Sequence, residues 1–281
     1  MQLRPSRTVL LAYGFSGLTF IYGLGVGAWQ WPPFKWILNT RHAVNLWRRE
    51  RMGQLPTTKN SYEVSTSKHS FFELDNNGLL IGPIPKVKES EYYFRRTILS
   101  AETAVIVMDP WVDMPSDFLN SENRKALQIG LLPAVQDAVA GGHLVIVLTN
   151  NPATSPYSSS IPWELSKLAR EGKAEILYHD DLNERRFATY LNRRNITTLI
   201  YTGFHSNICV IGRPTGLVCM ANKGFKLYFV PEASAAAEFG NSWQDGTLHR
   251  ATTMSISMSL AEILHLDSWQ EGLQTFIRGH P

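Results

Sequence analysis

The chain has 281 residues, 44% hydrophobic and 18% charged, which is enough apolar material for one large core and too little charge for a disordered chain. A net charge of +3 and a pI near 8.8 suggest a nucleic-acid binder only until the basic residues are located. Seven of the 27 Lys and Arg residues lie in the first 51 positions against one acid, Glu50, leaving 20 basic and 23 acidic side chains for a mildly acidic remainder.

After a short tail (1–7) carrying Arg4 and Arg7, residues 8–34 contain no charge, and 9–29 are apolar over a length that crosses a bilayer as a helix. A transmembrane anchor is therefore expected at 8–30. Trp29-Gln30-Trp31-Pro32-Pro33 resembles an interfacial belt more than a signal-cleavage site. Residues 31–60 then form a basic, partly amphipathic juxtamembrane segment and a linker, with membrane lipid as the expected partner and nucleic acid excluded. Positive charge flanks both ends of the span. Read literally, the positive-inside rule places the following domain in the cytoplasm, but an Arg-bearing tail before a single span reads as a signal anchor, and the domain is therefore expected on the extracytoplasmic side.

The folded domain is assigned to 61–281. Residues 61–80 alternate like a strand or hairpin arm around Asp75-Asn76-Asn77-Gly78, and 89–100 read as a helix. From there apolar strands are expected at 104–108, 143–148, 174–178, 198–202 and 226–230, with helices at 124–140, 163–171, 182–194, 206–222 and 249–264. Strands alternating with amphipathic helices predict an α/β fold: three α/β/α layers around a mainly parallel, doubly wound sheet. Ligand chemistry then collects at the carboxyl ends of the strands, at Asp109-Pro110-Trp111, Thr149-Asn150-Asn151 and 203–209.

Cys209 follows a Gly203 turn and lies in the first turn of the predicted 206–222 helix. Free N–H groups and the helix dipole there are expected to lower its pKa and to hold an oxyanion. Asp109 ends a buried strand at the same edge and is a candidate base. Cys219 lies ten residues further on what reads as the same helix, about 15 Å away and too far for a disulfide. A cysteine phosphatase is excluded, because position 215 is Thr and Arg213 comes too early for a phosphate loop. Arg213 itself is left between binding an acidic group and simple packing.

Val105-Ile106-Val107-Met108-Asp109, with Asp113 following, resembles the opening motif of the isochorismatase-like cysteine hydrolases, and Gly203-Phe204-His205-Ser206-Asn207-Ile208-Cys209-Val210 resembles their nucleophile turn. The resemblance covers residues 101–264. It implies a hydrolase acting on an amide-type bond of a small molecule, with Cys209 as nucleophile and Asp109 as base. The backbone near His205 and Ser206 would then be the oxyanion turn, and a cis peptide would fall at Phe204-His205 or His205-Ser206. A homo-oligomer is the common assembly of such relatives. The family's lysine is missing: the strand at 174–178 is followed by His179-Asp180-Asp181, which makes His179 its candidate replacement, while Lys167 and Lys173 are poorly placed. Residues 149–155 read TNNPATS, without the histidines of nicotinamidase-like members, so neither metal nor other cofactor is expected. Trp111, Tyr157 and Trp163 are candidate pocket residues. The alternative is a relative that has lost catalysis and acts as a membrane-tethered binding or scaffold protein.

Overall fold

The computed structural model describes residues 60–84, 86–113, 117–155 and 160–279. The expected tail, anchor and juxtamembrane segment (1–59) and Tyr157 lie outside them. Among the described residues no helix is long and apolar enough to cross a membrane.

Eight strands form one sheet: β1 (Ser61–Phe72), β2 (Val87–Leu99), β3 (Thr103–Met108), β4 (Leu144–Thr149), β5 (Glu175–Tyr178), β6 (Thr198–Phe204), β7 (Lys226–Ala235) and β8 (Glu262–Leu264). Their order is β2-β1-β8-β7-β6-β3-β4-β5. The six strands from β3 onward are mutually parallel, while β1 runs antiparallel to both of its neighbours. Chain order runs outward from β3 through β4 to β5, then returns to β6 on the other side of β3 and continues to β8. The reversal lies between β3 and β6, and in open α/β sheets ligands bind beyond the carboxyl ends of the strands at such a point.

Alternate side chains of the buried strands enter two separate cores. Val105, Val107, Val145 and Val147 pack with Leu131, Val135, Ala138, Trp269 and Leu273. These come from α2 (Leu132–Ala140), the turn before it, and α7 (Leu266–Gly279). On the opposite face Ile106, Met108, Ile146 and Leu148 pack with Phe187, Leu191, Met220 and Ile256, from α4 (Glu184–Arg193), α5 (Leu217–Ala221) and α6 (Thr247–Ser259). The predicted three-layer arrangement is therefore the observed one. α1 (Asp117–Ala126) runs into α2 through a π-helical turn, Leu127–Leu131. Pro133, which lacks an N–H, sits just beyond this irregularity. Gly130 lies in the turn where a Cβ would stand 2.2 Å from the Glu232 carbonyl oxygen, so only glycine lets the helix meet the β7 backbone. α3 (Trp163–Arg170) completes the helices.

Three expectations are corrected. Residues 89–100 are not a helix but most of β2, in continuous register with β1 from Ser61↔Leu99 to Ser70↔Ser90. Phe94 and Ile98 are buried on one face, and Arg96 between them makes paired hydrogen bonds to Glu262. Aromatic and β-branched residues with period two win over the helical spacing of the charges. The predicted 206–222 helix breaks into a π-helical turn, Ser206–Val210, and the short α5, with Pro214 between them. Cys209 and Cys219 thus lie on different segments, both unbridged. The predicted 249–264 helix ends at Ser259, and its last residues enter the sheet as β8 before the unforeseen α7.

Candidate active site

Asp109 leaves β3 at the switch point with φ of +41°, a conformation Asp tolerates better than most residues but still a strained one. Its backbone is fixed from both sides: its N–H donates to the Leu148 carbonyl at 2.8 Å, and its carbonyl accepts from Trp111 N–H at 2.7 Å. The carboxylate is 0% exposed. Oδ1 accepts from His179 Nε2 at 2.7 Å, and Oδ2 accepts from Arg213 Nε at 3.1 Å and Nη2 at 3.0 Å. A carboxylate only accepts, so His179 carries a proton on Nε2. Its Nδ1 is buried without a partner among the described residues. An anion this deep needs such partners; removing one side of a buried pair typically costs about 3–5 kcal/mol.

Gly203 brings β6 against β3. With φ of +101°, a Cβ there would stand 2.1 Å from the Met108 carbonyl oxygen, so the strand can pass only as glycine. Thr202 Oγ1 donates to the Ile106 carbonyl one step earlier. The Phe204-His205 peptide is cis, at one of the two bonds the resemblance implied. The His205 carbonyl then accepts from both Ile208 and Val210 N–H, at 3.0 and 3.1 Å, opening the π-helical turn that carries Cys209. The His205 ring is buried, and burial lowers its pKa, partly opposed by the Asp109 charge.

Cys209 is 8% exposed, and its thiol lies near enough to Asp109 to feel the carboxyl group. Its pKa is pushed up to about 12, first by burial and then by the charge and hydrogen bond of Asp109; Arg213 and the His205 backbone pull the other way. The expected acidification by the helix N-terminus is therefore not found: burial and the neighbouring Asp109 outweigh Arg213 and the His205 backbone, and at rest the sulfur is a thiol.

His179 reaches Asp109 from the turn after β5. Lys167 and Lys173 both stand at the surface beside Glu171. Trp111 is buried beside the site: its Nε1 donates to Thr149 Oγ1 at 2.9 Å, and its carbonyl accepts from Asn123. Trp163 instead opens α3 with its ring 63% exposed and the Lys167 ammonium 5.7 Å from its centroid. Asp113 pairs with Arg124 and Ser160 at the surface. Arg213 is the residue that sequence reasoning left unassigned. It follows Cys209 by four residues, one helical turn, and its N–H donates to the Cys209 carbonyl. The guanidinium also donates to Asn150 at 3.1 Å and lies 5.9 Å from the Trp111 ring. Among the described residues, no group of three or more His, Cys, Asp and Glu is placed to hold a metal.

No family model and no curated protein matches the sequence. Solved structures do match. A cysteine hydrolase from Pseudomonas syringae pv. phaseolicola aligns at 18% identity over 64% of this chain and 95% of its own, with a TM-score of 0.48. The nicotinamidase SaPncA from Staphylococcus aureus aligns at 14% over 58% and 96%, with a TM-score of 0.45. An isochorismatase-like hydrolase from Alkaliphilus metalliredigens aligns at 16% over 60% and 98%, with a TM-score of 0.44. At the level of fold, the chain is similar to isochorismatase-like cysteine hydrolases and nicotinamidases.

Proposed function

We propose that this chain is a hydrolase that cleaves an amide-type bond of a small molecule through an acyl-enzyme on Cys209. One observation carries the proposal: a fully buried Asp109 carboxyl group lies near enough to the Cys209 thiol to raise its pKa, at the carboxyl ends of the strands where strand order reverses. As the sulfur bonds to the substrate carbonyl carbon, the thiol proton passes to Asp109, and backbone N–H groups of the 205–209 turn receive the carbonyl oxygen. The C–N bond then breaks with the proton delivered from Asp109 to the leaving nitrogen. A water molecule gives a proton to Asp109 and its oxygen to the acyl carbon; the C–S bond breaks and the proton returns to sulfur.

The magnitude decides the timing. A thiol with a pKa of about 12 is ionised to roughly one part in 10⁵ at pH 7, so a free thiolate would cost about 7 kcal/mol. Proton transfer concerted with attack avoids that intermediate. His179 and Arg213 hold the carboxylate, with Arg213 also offsetting part of the negative charge near the sulfur. In this reading the two do the work of the implied lysine, which the chain lacks. The uncharged stretch 8–34 supports membrane tethering of this hydrolase through residues 8–30, and self-association is compatible with it. A second reading, a tethered binding protein without catalysis, is favoured by the same raised thiol pKa and by the commitment of Asp109 to His179 and Arg213.

A hydrolysis screen of small amides on the full chain, with Cys209→Ser and Asp109→Asn controls, separates them. Release of amine lost in both variants supports the hydrolase. Full activity in Cys209→Ser overturns it, and a ligand retained without turnover in every form favours the binding protein.

A further inference from the structure

His249 belongs to α6, far in sequence from the nucleophile turn, yet its ring bridges that turn and β7. Nε2 lies 3.1 Å from the Pro231 carbonyl of β7, which can only accept, so Nε2 carries the proton. Nδ1 is then a bare acceptor, and the fully buried Ser206 hydroxyl donates to it at 3.0 Å. Burial lowers the His249 pKa and favours this neutral form, although the Pro231 carbonyl and the Glu238 charge oppose it. The ring is itself held by its backbone. Glu238, 6% exposed, accepts from the N–H groups of Leu248 and His249 at 3.1 and 2.8 Å, fixing the first turn of α6. A second clasp lies beside the first: the Asn207 side chain donates to the Ala237 carbonyl at 3.2 Å and accepts its N–H at 2.9 Å. Residues 206 and 207, immediately after the cis peptide, are thus tied to the 231–249 segment by three side-chain hydrogen bonds. None of them reaches Asp109, and the proton transfers described above use none of them.

We infer that His249 is a positioning residue for oxyanion binding: by accepting from Ser206 it fixes the backbone N–H groups of the 205–209 turn toward the attacked carbonyl oxygen. The inference rests on the reading of Cys209 as nucleophile. A merely structural histidine would matter through its bond to Pro231 and its packing; a positioning one matters through its bond to Ser206. Two substitutions separate these. His249→Asn retains an acceptor where Nδ1 stands and loses the donor at Nε2, whereas His249→Gln retains a donor near Nε2 and loses the acceptor.

The experiment uses the full chain, each variant in a Cys219→Ser background, with two probes. Acetaldehyde labelled with ¹³C at its carbonyl forms a hemithioacetal: the Cys209 sulfur bonds to the carbonyl carbon, the thiol proton passes by way of Asp109 to the carbonyl oxygen, and that oxygen takes the oxyanion position. Its dissociation constant is read from the NMR signal of that carbon. Iodoacetamide alkylates the same sulfur with loss of iodide and makes no oxyanion. The expected result is hemithioacetal binding weakened about ten- to hundredfold in Ser206→Ala and His249→Gln and much less in His249→Asn, with alkylation rates close to those of the parent in all three. Equal aldehyde affinity in all forms, or His249→Asn no better than His249→Gln, overturns the positioning role while leaving the nucleophile in place. No adduct at Cys209 with either probe in the parent protein overturns the nucleophile, and this inference with it.

Discussion

Replacing Asp109 by Asn makes the candidate pair reveal itself through two changes of opposite sign. The substitution removes the second and third causes of the high Cys209 pKa, the charge and the hydrogen bond of the carboxylate, and leaves burial, the largest, in place. Arg213 remains and continues to favour the thiolate. The thiol stands about three units above its ordinary value of 9.0, and recovery of one to two of them raises the thiolate fraction at pH 8 by roughly 10–100-fold. A less basic sulfur is also a weaker nucleophile, with a Brønsted slope of about 0.4–0.5, so alkylation by iodoacetamide should accelerate by about 3–10-fold. Hydrolysis moves the other way, falling by about 10²–10⁴ with the base gone. In the parent protein, alkylation of Cys209 should climb about tenfold per pH unit from 8 to 11 without a plateau, because the thiolate is the reactive form and the pKa lies near 12. The assay is stopped-time alkylation read by mass spectrometry in a Cys219→Ser background. Melting curves run alongside, since an unpaired cation pocket costs up to about 5 kcal/mol. Alkylation unchanged or slowed in a folded Asp109→Asn protein would refute the coupling, as would retained hydrolysis.

The other predictions concern the partners, the strand crossing, the metal and the anchor. His179→Ala removes a charge-assisted hydrogen bond worth about 1.5–3 kcal/mol, and turnover should fall roughly 10–150-fold, with the melting point lowered as well because the buried carboxylate loses a partner; wild-type turnover would exclude His179 from the site. Gly203→Ala puts a methyl 2.1 Å from the Met108 carbonyl at a positive φ, and calorimetry should show a loss of about 3 kcal/mol or more; a melting point within 2 °C of the parent contradicts the close approach. Amide hydrolysis should survive EDTA, and its loss with rescue by zinc or iron would point to a metal centre. The full chain should resist carbonate extraction from membranes, with solubility restored by deleting residues 1–51; the intact chain in the soluble fraction removes the anchor.

The alternation of buried strands and amphipathic helices was legible from 101 onward because each parallel strand is covered on both faces and reads as an unbroken apolar run, as in Val105-Ile106-Val107-Met108. β2 escaped that logic: it is an edge strand, and its exposed positions carry Lys88, Glu89, Glu91 and Arg95 among its aromatics, so the charges imitate a solvated helix. β8 escaped it because three residues, Glu262–Leu264, are too few to show a period, and their place beside β1 is decided by pairing with chain nearly 200 residues away.

The site divides along a similar line. Asp109 and Cys209 are legible because both are set by local rules, an acid at the end of a buried strand and a cysteine after a glycine turn, and a doubly wound sheet carries both to one edge. Their contact follows from topology, since the reversal of strand order makes β3 and β6 neighbours and pairs Met108 with Gly203, 95 positions further along the chain. Arg213 had a signal of its own in the four-residue step from Cys209, which is one turn of helix and points a side chain back along the face of the nucleophile. That signal has meaning only once Asp109 is known to lie within reach of that face, a fact that resides in the pairing of Met108 with Gly203 and in no local pattern. If His179 and Arg213, both bonded to Asp109, are the working substitute for the missing lysine, His179→Ala and Arg213→Gln should each lower turnover, and the double variant should lose less than the product of the two, because both act on one carboxylate. Strict multiplication of the two losses would mean that the residues act independently, and Arg213 would then have to be assigned a contact with substrate.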